Sequence, residues 1–229
     1  MSLSALMAVG LLLGMGHALD ADHVVAVSTI VSESRSLLRS LLIGVVWGIG
    51  HTATLLVVGL FVLFFGITPP PWVAISAEFL VGLILIILGV QILWRYSKKR
   101  IYAHYHDHGD GIHIHFHTHE VTQGHTHEHH GPHTRKPLFV GAVHGLAGSA
   151  AVMLLVLSTI QSPLLGALCI LTFGLGSILG MLVVSALIGF PFLLTAGRFQ
   201  RLHAGARVVA GLVSIAVGCS ISVESFRLW

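Results

Sequence analysis

Six long apolar runs account for most of this chain. They cover residues 4–31, 38–66, 73–95, 138–160, 164–195 and 204–226. Each reaches the ~20 residues that a helix needs to cross the hydrocarbon core of a bilayer. The first, second and fifth are longer than necessary and rich in glycine, so they are expected to tilt or break. Thr68-Pro69-Pro70-Pro71 and Gln161-Ser162-Pro163 read as tight turns, and the one long connection is 96–136. The pattern predicts an all-α membrane protein with six transmembrane helices.

The polar interruptions of this pattern carry the chemistry. Within the first run, His17, Asp20, Asp22 and His23 fall in seven residues. A charge in hydrocarbon costs a few kcal/mol or more, so a span tolerates it only facing protein, water or an ion. Imidazole and carboxylate together are ligands for divalent transition metals. The bland alternative is a structural polar network between helices. On a regular helix His17, Asp20 and His23 form one stripe, and Asp22 points away from it. His17 and His23 would then lie about 9 Å apart along the axis, too far to share one ion. Either the helix unwinds near Gly14 and Gly16, or the two histidines serve successive stations. Asp20 has a second possible role, orienting an imidazole through its N–H. His51 sits in the middle of the second run behind Gly48 and Gly50. His144 lies nearer the end of the fourth, as an access ligand or a helix-end polar residue. Glu78, near an end of the third, reads more simply as a residue reaching the headgroups.

The two halves resemble each other. His17 to His23 aligns with His144 to Ala150, Gly48-Ile49-Gly50-His51 with Gly174-Leu175-Gly176-Ser177, and Ala77 to Gly89 with Ala206 to Gly218. Three spans per copy is an odd number, so the second copy inserts upside down. Such inverted repeats are a transporter architecture, with the site at the repeat interface near the midplane. The implied organisation is a first three-helix repeat (1–95), a loop (96–136) and a second repeat (137–229). Asp22, His23 and His51 align with Ser149, Ala150 and Ser177, so the principal metal site belongs mainly to the first half.

Composition agrees with a membrane protein. Hydrophobic residues make up 55% and charged residues 9% of the chain, against roughly 25% charged in soluble domains. The basic residues do not cluster into a nucleic-acid patch. Arg35, Arg39, Arg95, Lys98, Lys99, Arg100, Arg135, Lys136, Arg198, Arg201 and Arg207 border alternate connections, and only Arg227 falls on the opposite side. The positive-inside rule then puts both termini outside and the long loop in the cytoplasm. Cys169 and Cys219 read as small core residues, and the N-terminal run carries no removable signal.

The loop holds most of the chain's 17 histidines, among them His113, His115, His117, His119, His125, His127, His129 and His130. Such a tract cannot build a packed core and is expected to be disordered when free. It would bind nickel, cobalt, zinc or copper with little discrimination, as buffer, sensor or hand-off surface.

At His17, Asp22 and His23, followed one span later by Gly50-His51-Thr52, the chain resembles the nickel/cobalt transporter family, including its urease-associated permeases. The resemblance covers most of residues 10–60. It implies a secondary permease of the cytoplasmic membrane for Ni²⁺ or Co²⁺, with His17, Asp22, His23 and His51 determining selectivity. It implies no enzymatic activity and no required cofactor. The implied partners are the metal ion, the bilayer and a cytoplasmic metallochaperone or a urease or hydrogenase maturation system, and no nucleic acid. The sequence leaves the oligomeric state open. A metal exporter loaded by the His-rich loop is the main rival. An intramembrane hydrolase built on Ser149 and His144, and a haem protein using His51 and His144, have weaker motif support. No Gly-x4-Gly-Lys-Ser/Thr phosphate loop is present, so energy would come from a gradient or a partner.

Overall fold

A computed structural model describes residues 2–34, 36–67, 69–97, 101–107, 112–118, 134–159 and 162–229. In chain order the elements are α1 (Leu3–His17), α2 (Ala21–Val31), α3 (Leu37–Phe65), α4 (Pro71–Ser97), β1 (Ile101–Asp107), β2 (Ile112–Thr118), α5 (Arg135–Thr159), α6 (Pro163–Arg198) and α7 (Gln200–Arg227). The body is entirely helical. Leu37–Phe65, Pro71–Ser97, Pro163–Thr195 and Arg201–Arg227 are long and apolar enough to cross a membrane, and α1 with α2 makes a fifth candidate. The protein is thus an integral membrane protein. Large apolar side chains such as Leu12, Val57, Phe64, Leu187, Leu194 and Phe226 remain exposed on the outside of the body, where lipid replaces water as solvent.

Two expectations need adjusting. The first span is not one helix: α1 and α2 meet at a bend of 58°. The expected span 138–160 coincides with α5. The loop also departs from expectation. The strands β1 and β2 pair antiparallel, with His104 opposite His115 and His106 opposite His113. The alternating His-Ile-His-Phe-His pattern of β2 has the two-residue period of a strand, so the backbone ladder forms despite the polar composition. His119, His125, His127, His129 and His130 lie outside the described residues.

The helices meet through small residues, as expected where lipid removes the hydrophobic drive and packing must be close. Contacts recur in matched pairs. A Cβ added at Gly14 would strike the Phe173 carbonyl, and one at Gly141 the Trp47 carbonyl. Gly176 abuts Leu11, and Gly50 abuts Leu138. Gly48 meets Ile178, and Gly174 meets Thr52. Gly82 faces Gly218, and Gly89 faces Gly211. The pairings α3 with α6, α4 with α7, α1 with α6 and α3 with α5 all follow. Two side-chain bonds lock them: Thr52 Oγ1 donates to the Gly174 carbonyl at 3.1 Å, and Ser214 Oγ to the Leu85 carbonyl at 2.7 Å.

The short helix α2 packs against α4, α6 and α7. Its Ala26, Val27 and Val31 join Ile43, Trp47, Val81, Leu85, Val140 and Met181 in the central core. Just past its end, Glu33 accepts a 2.6 Å hydrogen bond from Arg95 Nη1 of α4 and lies 3.6 Å from Arg207 Nη2 of α7. Arg95 is 58% exposed, so this bridge contributes no more than about 1 kcal/mol and serves chiefly to position α2. Glu78, by contrast, makes no ion pair among the described residues.

Candidate metal centre

The bend between α1 and α2 builds the site. The last amides of α1 tighten to three-residue bonds: Leu19 N–H donates to the Gly16 carbonyl and Asp20 N–H to the His17 carbonyl. Asp20 then turns extended, with ψ of 144°, and α2 begins. Its carboxylate does not cap α2. It accepts instead from His17 Nδ1 at 2.7 Å. Asp22 supplies the negative charge in the first turn of α2, where the helix dipole favours it. The bend folds His23 back toward His17, and their ring centroids stand 4.7 Å apart. The unwound arrangement, not successive stations, is what the chain adopts.

Two further histidines complete the cluster. The His51 ring from α3 lies 5.2 Å from both His17 and His23. The His144 ring from α5 lies 5.1 Å from His23. His144 is therefore not at a helix end in space: it is 1% exposed and its Nε2 lies 3.8 Å from Asp22 Oδ2.

The hydrogen bonds around the cluster share a logic. His17 Nδ1 pairs with Asp20, His23 Nδ1 with Asp22 Oδ1 at 3.0 Å, and His144 Nδ1 with the Val140 carbonyl at 2.9 Å. Each acceptor holds the proton on Nδ1 and leaves a lone pair on Nε2. Asp22 is itself held by the His23 backbone N–H at 3.0 Å. The Nε2 atoms of His17, His23 and His144 and both nitrogens of His51 are buried without a hydrogen-bond partner among the described residues. Leaving a buried polar atom unsatisfied costs about 1–3 kcal/mol, so five together make little sense as packing. The donor set suits a cation: ligand atoms of His17, His23 and His51 all lie within 4.8 Å of one another. Donors about 2.0–2.1 Å from one ion stand about 3.4 Å apart in tetrahedral geometry, so the widest pair need close by no more than about 1.4 Å to bring the three onto one ion. Asp20, Asp22 and His23 form a second, overlapping group. The imidazole-orienting role now fits Asp20, and Asp22 also takes it up for His23.

Two residues outside the sequence expectation belong to this region. Trp47 of α3 lies 4.8 Å from the His144 ring and 6.2 Å from the His23 ring. Phe173 of α6 lies 5.4 Å from the His17 ring. The spacing of Trp47 and His51, one helical turn apart, was the available signal, but an aromatic in an apolar span reads as core.

Comparison with known proteins gives two matches. The family described as cytochrome c biogenesis protein transmembrane region matches residues 49–213. The urease accessory protein UreH of Bacillus sp. (strain TB-90) is 39% identical over 239 residues, covering 99% of this chain and 97% of that protein. No solved structure matches. The chain belongs to the family described as cytochrome c biogenesis protein transmembrane region and to that of the urease accessory protein UreH.

Proposed function

We propose that the protein is a permease that carries Ni²⁺, and less readily Co²⁺, into the cytoplasm for urease maturation. The observation that carries this reading is the convergence of unpartnered imidazole nitrogens from His17, His23, His51 and His144 at a helix break inside an integral membrane protein. Imidazole nitrogens with a few oxygen donors are within the range that nickel and cobalt accept, along with zinc and copper. The relative's printed role in urease accessory function points the same way. His17, His23, His51 and His144 are the ligands in this reading. Asp22 and Asp20 fix two of the imidazoles and offset the charge of the ion.

The fold supports an inverted repeat of 1–95 and 137–229 around this site. Every matched contact described above is reciprocal under one correspondence: Gly14 with Gly141, Trp47 with Phe173, Gly50 with Gly176, Gly82 with Gly211 and Gly89 with Gly218. In that arrangement α5 is the counterpart of α1 and α2 and makes the sixth crossing; its 25 residues span about 37 Å. Both termini lie outside and the loop 96–136 lies in the cytoplasm as a secondary metal-binding tract. An ion sheds water to the imidazoles, one repeat rocks against the other, and the ion leaves inward. The membrane potential favours cation movement inward by about 2.3 kcal/mol per charge at 100 mV.

The test is uptake of radiolabelled nickel by cells expressing the chain, beside the His17→Ala, His23→Ala double variant at equal membrane abundance. Uptake above empty cells that the variant loses is the expected result. Accumulation below that of empty cells means export, and equal uptake by the variant places the site elsewhere.

A further inference from the structure

The reciprocal contacts make Trp47 and Phe173 counterparts. Each gives its backbone carbonyl to a glycine of the neighbouring helix, Gly141 and Gly14 respectively. Each lays its ring beside one histidine of the cluster, His144 at 4.8 Å and His17 at 5.4 Å. Phenylalanine thus meets the packing demand of this position. The indole adds a second fused ring and an N–H. Trp47 is 0% exposed, and its Nε1 is buried without an acceptor among the described residues. A buried indole N–H normally finds a partner, and leaving that bond unmade is costly. The indole ring stands beside the His144 and His23 rings, and nothing among the described residues receives its N–H.

We propose that Trp47 is a specificity-determining residue that holds a water molecule on the bound ion. This rests on the metal-site reading above. A metal-bound water has one lone pair on the ion and a second free to accept the Trp47 Nε1–H. No bond is made or broken in the protein; the ion keeps one of the waters it arrives with. The consequence is selectivity. Nickel and cobalt accept five or six donors, whereas zinc settles into four. A donor that stabilises an additional water ligand therefore favours nickel and cobalt over zinc at an otherwise unselective set of imidazoles. Removing such a partner outside the ligand shell typically costs 10–100-fold in metal affinity.

The experiment uses the full chain in detergent with less than one equivalent of Co²⁺. The signal that the His17→Ala variant lacks is assigned to the central site, which separates it from cobalt on the loop. In ¹⁷O-enriched water the wild-type Co²⁺ resonance lines are expected to broaden. In Trp47→Phe the broadening disappears, the visible Co²⁺ bands intensify severalfold as coordination falls to four, and the nickel-over-zinc binding ratio drops by about tenfold. Wild-type lines that do not broaden overturn the proposal and leave the metal site standing; this measurement needs no variant to fold. A Trp47→Phe protein that keeps the broadening and the nickel-over-zinc ratio also overturns it. A wild-type chain that binds no Co²⁺ at the His17-dependent site overturns both this proposal and the reading beneath it.

Discussion

Replacing Asp22 by Asn separates orientation from charge at the centre. The carboxylate accepts from His23 Nδ1 and from the His23 backbone N–H, both at 3.0 Å, through the same Oδ1. The Asn amide oxygen can accept both bonds, so the imidazole keeps its direction and its lone pair on Nε2. The negative charge beside the ion is lost. At an effective dielectric near 20, a unit charge about 5 Å from a divalent ion contributes about 7 kcal/mol before desolvation of the carboxylate is subtracted. That subtraction is several kcal/mol, and measured losses for groups behind the ligands centre on 10–100-fold, or about 1.4–2.7 kcal/mol. Asp22→Asn should therefore weaken nickel binding by 10–100-fold with unchanged stoichiometry. Asp22→Ala should weaken it further, because the His23 Nδ1–H is then left without its acceptor at a cost of about 1–3 kcal/mol. Titration calorimetry on purified protein, with the His17→Ala protein as background, measures both. Equal affinities for Asp22→Asn and wild type would refute the claim that the carboxylate offsets the ion. Equal losses for Asn and Ala would refute the orienting bond.

Two other outcomes follow from packing and composition. Gly141→Ala puts a Cβ against the Trp47 backbone, with the Trp47 carbonyl carbon at 2.9 Å and Cα at 3.0 Å. Neither can move without shifting α3, so overpacking should cost about 1–3 kcal/mol; it would appear as a lower midpoint in thermal unfolding in detergent, with Gly16→Ala, which meets nothing within 4 Å, as the control. Deleting residues 104–133 should reduce total bound nickel to the central equivalent while His17-dependent uptake persists; loss of that uptake would make the loop part of the transport path.

The sequence announced the membrane body and the chemistry but not the geometry that joins them. Long apolar runs read directly as spans because a bilayer permits little else. Four ionisable side chains in one run pointed to an ion because hydrocarbon makes them costly otherwise. Helical periodicity left the geometry open, since a regular helix separates His17 from His23 and an unwound one does not. The break at Ala18–Asp20 depends on Asp20 bonding His17 rather than capping α2, a choice between two local hydrogen bonds that composition does not reveal. His144 looked peripheral because depth along one helix says nothing of where a second helix crosses it. Gly141 and Gly145 set that crossing, by admitting the Trp47 and His51 backbones at a distance no Cβ would permit. Glycine is common in apolar sequence and says little by itself there, yet these glycines fix how far apart the four imidazoles stand.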